Sequence, residues 1–65
     1  MNFSDKIKEI RKKCFLSQEA LAKELGVSFA TVNRWESGKS KPSYKTMKII
    51  SEFCTQNSIE FNVNQ

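Results

Sequence analysis

Asn33 and Arg34 stand together in the stretch FATVNRWES, and both carry hydrogen-bond donors of the kind that meet the edges of nucleic-acid bases. At about 100° per residue, Val32 and Trp35 share one helical face and Ala30, Asn33, Arg34 and Ser37 take the opposite one. A bidentate guanidinium at Arg34 matches O6 and N7 of guanine, a discrimination of roughly 1 to 3 kcal/mol, while Asn33 matches adenine or holds a phosphate. Ala30 suits a thymine methyl. Phe29 lies at the edge of this face, where it either packs on a thymine methyl or covers the core. From Lys39 to Lys48 there are four lysines and no acid. Lys39, Ser40, Lys41 and Ser43 therefore form a basic loop whose donors suit a phosphate backbone. Upstream, Gln18 opens another helical stretch, and its amide adds to the unpaired N–H groups of a first turn. Covalent chemistry finds no comparable set. The chain has no histidine, its carboxylates form no obvious pair, and two cysteines alone cannot complete a tetrahedral zinc site. No enzyme activity, cofactor, metal or small-molecule ligand is expected.

These side chains need short helices to hold them. The first helix is expected from about Ser4 to Cys14, capped by Ser4 or Asp5, with Ile7, Ile10 and Cys14 as its core stripe and Phe3 and Phe15 on either side. Ser17 caps the second, in which Leu21 and Leu25 lie four apart with Ala22 beside Leu21, and Glu19 complements the positive helix end. Gly26 ends it by tolerating φ > 0. Ser28 caps the third helix, which runs to about Ser37 before Gly38, and Pro42 keeps the next loop from becoming helical. The fourth begins near Ser43, with Met47, Ile50 and Cys54 on one face and Ile49 and Phe53 widening the stripe. After Gln56, Ile59, Phe61 and Val63 alternate with polar residues, the period of a half-buried strand. Such a strand either pairs with its copy in a second chain or folds Ile59 and Phe61 against the core.

Sixty-five residues make one small domain with a limited core. The net charge of +4 favours anionic partners, and its concentration after Lys39 argues for a footprint rather than general solubility. Cys14 and Cys54 read as two buried thiols in a reducing compartment, with a disulfide as the alternative. The opening MNFSDKIKEIRKK is charged, no stretch nears the roughly 20 apolar residues of a membrane span, and the expected compartment is the cytoplasm.

The bihelical unit 18–37, with LSQEALAKELGV as the entry into its first helix and RWESGKSKPS at its end, resembles the Cro/repressor-type helix-turn-helix of phage and bacterial regulators, the XRE-like family. The resemblance implies an all-α, compact four-helix domain of the lambda repressor-like DNA-binding type over 1–57, with a short extended tail, 58–65, that becomes a fifth element if it pairs. It also implies a recognition helix at about 28–37, with Phe29, Ala30, Asn33 and Arg34 on bases and Gln18, Ser28, Ser37, Lys39, Ser40, Lys41 and Ser43 on phosphates. Glu36 would repel phosphates, but its helical angle turns it toward the core near Val32, and the resemblance supplies Arg11 as its partner in a structural ion pair. Many relatives carry a fifth helix where this chain has its strand-like tail.

The expected function is that of a sequence-specific, double-stranded DNA-binding regulator, with repression as the expected mode. It would be bacterial or phage-encoded and nucleoid-associated, and would act as a homodimer on a palindromic operator. Nearer alternatives are an antitoxin or the DNA-recognition module of a larger protein. A protein–protein interaction module on the same scaffold is the alternative from another class, and the polar, lysine-flanked face tells against it.

Overall fold

A computed structural model describes residues 2–61 and contains four helices in chain order: α1 (Phe3–Lys13), α2 (Gln18–Leu25), α3 (Phe29–Glu36) and α4 (Tyr44–Gln56). No strand forms among the described residues. Each helix starts on a side-chain cap. Ser17, Ser28 and Ser43 accept the amides of Ala20, Thr31 and Thr46, and so satisfy donors that the helix itself leaves unpaired.

The first helix departs from expectation. Its cap is Asn2, whose Oδ1 accepts the Asp5 amide at 3.0 Å, rather than Ser4 or Asp5. All three are good capping residues, and tertiary packing decides between them. Starting at Phe3 puts that ring inside the first turn, where it meets Trp35 edge-on at a centroid distance of 5.9 Å and an interplanar angle of 81°. The helix also ends one residue early, so Cys14 is its C-cap and only half-buried.

All four helices terminate in the same way. One residue takes left-handed backbone, Phe15 at φ 57°, Gly26 at 73°, Gly38 at 79° and Ser58 at 57°. The next amide then reaches back to a carbonyl of the last turn: Leu16 to Arg11 at 3.1 Å, Val27 to Ala22 at 2.9 Å, Lys39 to Arg34 at 3.0 Å and Ile59 to Cys54 at 2.8 Å. Two glycines fill this position at no steric cost, whereas Phe15 and Ser58 hold it as strained residues.

α3 is the hub, packed on α1 and α2, while α4 closes the far side against α2. Ile7, Ile10, Leu21, Val32, Ile50 and Cys54 are fully enclosed, with Phe3, Ala22, Leu25, Trp35 and Phe53 around them. At 37% exposure Ile49 stands at the edge of this core instead of widening its stripe, and Met47 is half-buried. Both cysteines are free, and burial pushes the Cys54 thiol up, with Cys14 nearby adding to the effect. Beyond α4, Ile59 and Phe61 are partly buried against the core. Val63 lies outside the described residues. No helix among those described is long and apolar enough to cross a membrane.

Candidate nucleic-acid interface

Residues 26–28 join α2 to α3 in a short turn, with Leu21, Ala22, Leu25, Val32 and Trp35 buried between the two helices and their neighbours. Burying Val32 and Trp35 fixes the rotation of α3. Ala30, Asn33, Arg34 and Ser37 are consequently exposed, and Phe29 is 53% exposed at the first helical position, so it faces solvent more than core. Ser28 and Ser37 bracket this face, but their hydroxyls are engaged within α3: Ser28 caps Thr31, and Ser37 donates to the Arg34 carbonyl at 3.1 Å.

Glu36 points the other way. It is 6% exposed, and Arg11 donates to it through Nε at 2.7 Å and Nη2 at 3.1 Å, a two-point clamp between α1 and α3. The third guanidinium nitrogen, Nη1, donates to the Leu16 carbonyl at 3.1 Å and so holds the turn before α2. Burial alone would push the Glu36 carboxyl up. The bonds from Arg11 and Gln18, with the charges of Arg11 and Lys8, outweigh it and hold the group below the usual carboxylate range. The Arg11 guanidinium is raised in turn, mainly by its bond to Glu36.

Gln18 joins this group. Its Nε2 donates to Glu36 Oε1 at 3.0 Å, and its Oε1 accepts from Asn33 Nδ2 at 3.3 Å. Thus Arg11, Glu36, Gln18 and Asn33 form one continuous chain from α1 across α2 to the exposed face of α3. The bonds from Gln18 were not foreseeable from helical angles, because they join residues on different helices.

The other expected phosphate ligands lie apart from this chain. Lys39, Ser40 and Lys41 are exposed in the loop between α3 and α4, and Ser43 caps α4, donating to Thr46 Oγ1 at 3.1 Å. The loop is seated beside the start of α1, where Gly38, Ser40 and Lys41 line a shallow cleft with Asn2, Phe3, Ser4 and Trp35. Tyr44, which no helical periodicity singles out, opens α4 at 92% exposure between Ser43 and Lys45. Its position directly after a serine cap in a basic stretch is the signal that marks it. Among the described residues, no buried side-chain nitrogen or oxygen lacks a partner.

The surface therefore offers a polar helix face, a loop rich in cations and two helix starts that present amides, with the one buried acid of α3 turned inward and neutralised. Residues 7–60 match the family model described as Helix-turn-helix. The chain is also similar to the HTH-type transcriptional activator BcrR of Enterococcus faecalis, with 42% identity over 53 residues, or 82% of this chain and 26% of that protein. It thus spans about a quarter of the length of that relative, whose coverage is 26%. No solved structure matches. A family match that runs from α1 to beyond α4, on a structure with the four helices and tight turn such a unit requires, places the chain in the helix-turn-helix family, among its Cro/repressor-type XRE members.

Proposed function

We propose that this chain binds double-stranded DNA sequence-specifically and serves as the DNA-reading part of a transcriptional regulator, with α3 in the major groove. The observation that carries this reading is the exposure of Ala30, Asn33 and Arg34 on a helix whose opposite face is locked into the core. An α-helix fits that groove, and Arg34 and Asn33 carry the donors that distinguish guanine and adenine there. Gln18 with the amides of the α2 start, and Lys39, Ser40, Lys41 and Ser43 with those of the α4 start, hold the phosphates on either side. Ser28 and Ser37, with hydroxyls turned into α3, serve there through backbone groups or by displacing those local bonds. The Arg11–Glu36 pair is structural.

A dimer on a palindrome places two such helices about 34 Å apart, one turn of the duplex. Repression is the expected mode, whereas the relative is named an activator. Operator position relative to a promoter, not this domain, sets that sign.

Two substitutions test the division of labour. Arg34→Ala relaxes preference at one base pair per half-site, whereas Lys39→Ala weakens binding to all duplexes alike and lowers the salt slope by about one per site. The reverse pattern would show the roles to be misassigned.

A further inference from the structure

The hydrogen-bond chain that ends at Asn33 has a direction, and that direction is dictated from the protein interior. At one end stands Glu36, buried and clamped by Arg11. A carboxylate has no hydrogen to give, so every group that meets it must donate. Gln18 lies 3.0 Å from it and must therefore turn its amide nitrogen to Glu36 and its oxygen to Asn33. At 3.3 Å from that oxygen, Asn33 must offer Nδ2. One of its two amide hydrogens is thereby committed, leaving Oδ1 and a single N–H for the groove.

We propose that Gln18 is a positioning residue for base reading, holding the Asn33 amide in the orientation that selects adenine and rejects guanine. The inference rests on the reading of α3 as a recognition helix. Adenine presents one acceptor, N7, and one donor, the N6 amino group, in the major groove, which is the complement of one N–H and one oxygen. Guanine presents two acceptors, N7 and O6, and an unrestrained asparagine could meet both with its two N–H groups. Tying one N–H to Gln18 removes that option. Gln18 thus does more than touch a phosphate, and Arg11 and Glu36 influence the bases without reaching them.

The test uses the duplex that the wild-type chain selects from a random pool, with the base pair facing Asn33 identified by its loss of preference in Asn33→Ala. Affinities are then measured for A·T and G·C at that pair, for wild type, Gln18→Lys and Gln18→Met, each checked for folding by circular dichroism. Lysine at 18 still donates to Glu36 and still meets a phosphate, but it has no acceptor for Asn33. Wild type is expected to favour A·T by at least about five-fold, the low end for a bidentate pair. In Gln18→Lys the ratio falls to within about two-fold, whatever the change in overall affinity. Gln18→Met loses the same ratio along with overall affinity. An unchanged ratio in both variants, with only uniform loss in Gln18→Met, overturns the proposal and leaves Gln18 as a phosphate contact. A wild type with no preferred sequence at all removes the DNA-reading function itself, a distinct result.

Discussion

Replacing Arg11 by methionine keeps an unbranched apolar stem and removes the guanidinium, so it isolates the clamp between α1 and α3. The Glu36 side chain is 5% exposed and that of Arg11 19%, which makes this a largely desolvated pair rather than a surface one. Breaking a buried pair from one side costs about 3 to 5 kcal/mol, because the stranded charge keeps its desolvation penalty. Gln18 still donates one bond to Glu36 in the variant, which places the expectation at the lower end, about 3 kcal/mol. A chain of 65 residues is stable by only about 3 to 10 kcal/mol in total, so Arg11→Met sits near its unfolding threshold. Urea denaturation followed by far-ultraviolet circular dichroism at neutral pH reads the loss directly. The control is Arg11→Met combined with Glu36→Leu, which removes the stranded charge and refills the space. It is expected to recover at least half of the loss, since apolar replacement of a buried pair is often close to neutral. A cost below about 1 kcal/mol for the single variant, or a double variant no better than the single one, would refute the reasoning.

Acid should erode stability through the same group. The Glu36 carboxyl lies below its ordinary value in the folded chain, so its contribution is fully present above about pH 4.3 and fades as pH falls through the folded value. Thermal melts from pH 6 to pH 2 are expected to show this fall in wild type, and a smaller one in Arg11→Met, where protonation relieves the stranded charge. The helix ends give two opposite outcomes. Gly26→Ala places a Cβ in open space but at φ 73°, and it is expected to lose about 1 to 2 kcal/mol through backbone strain alone. Phe15→Gly removes a side chain that is 95% exposed at φ 57° and is expected to gain up to about 1 kcal/mol, read as a higher urea midpoint.

Helix periodicity carried most of the architecture into view. The spacing of Leu21, Leu25, Val32 and Trp35 with Gly26 between them specifies two helices and a turn, and the structure has both. Gly26 and Gly38 were legible because glycine is the residue that left-handed backbone prefers. Phe15 and Ser58 do the same work without any compositional mark. The cap of α1 was misplaced for a related reason: Asn2, Ser4 and Asp5 are locally equivalent, and the choice is made by Phe3 reaching Trp35, far away in sequence. The exposed face of α3 followed from angles alone. That Gln18 ties Asn33 to Glu36 did not, because it depends on how closely α2 approaches α3.

If α3 reads DNA bases, selection from a random duplex pool recovers a defined site. The affinity of the selected sequence and of a scrambled duplex should then be compared at two salt concentrations. A palindromic site is expected, bound at least about a thousand-fold more tightly than the scrambled duplex at physiological salt, with both affinities falling as salt rises. Equal affinity for the two duplexes, or no binding at moderate salt, would contradict the account.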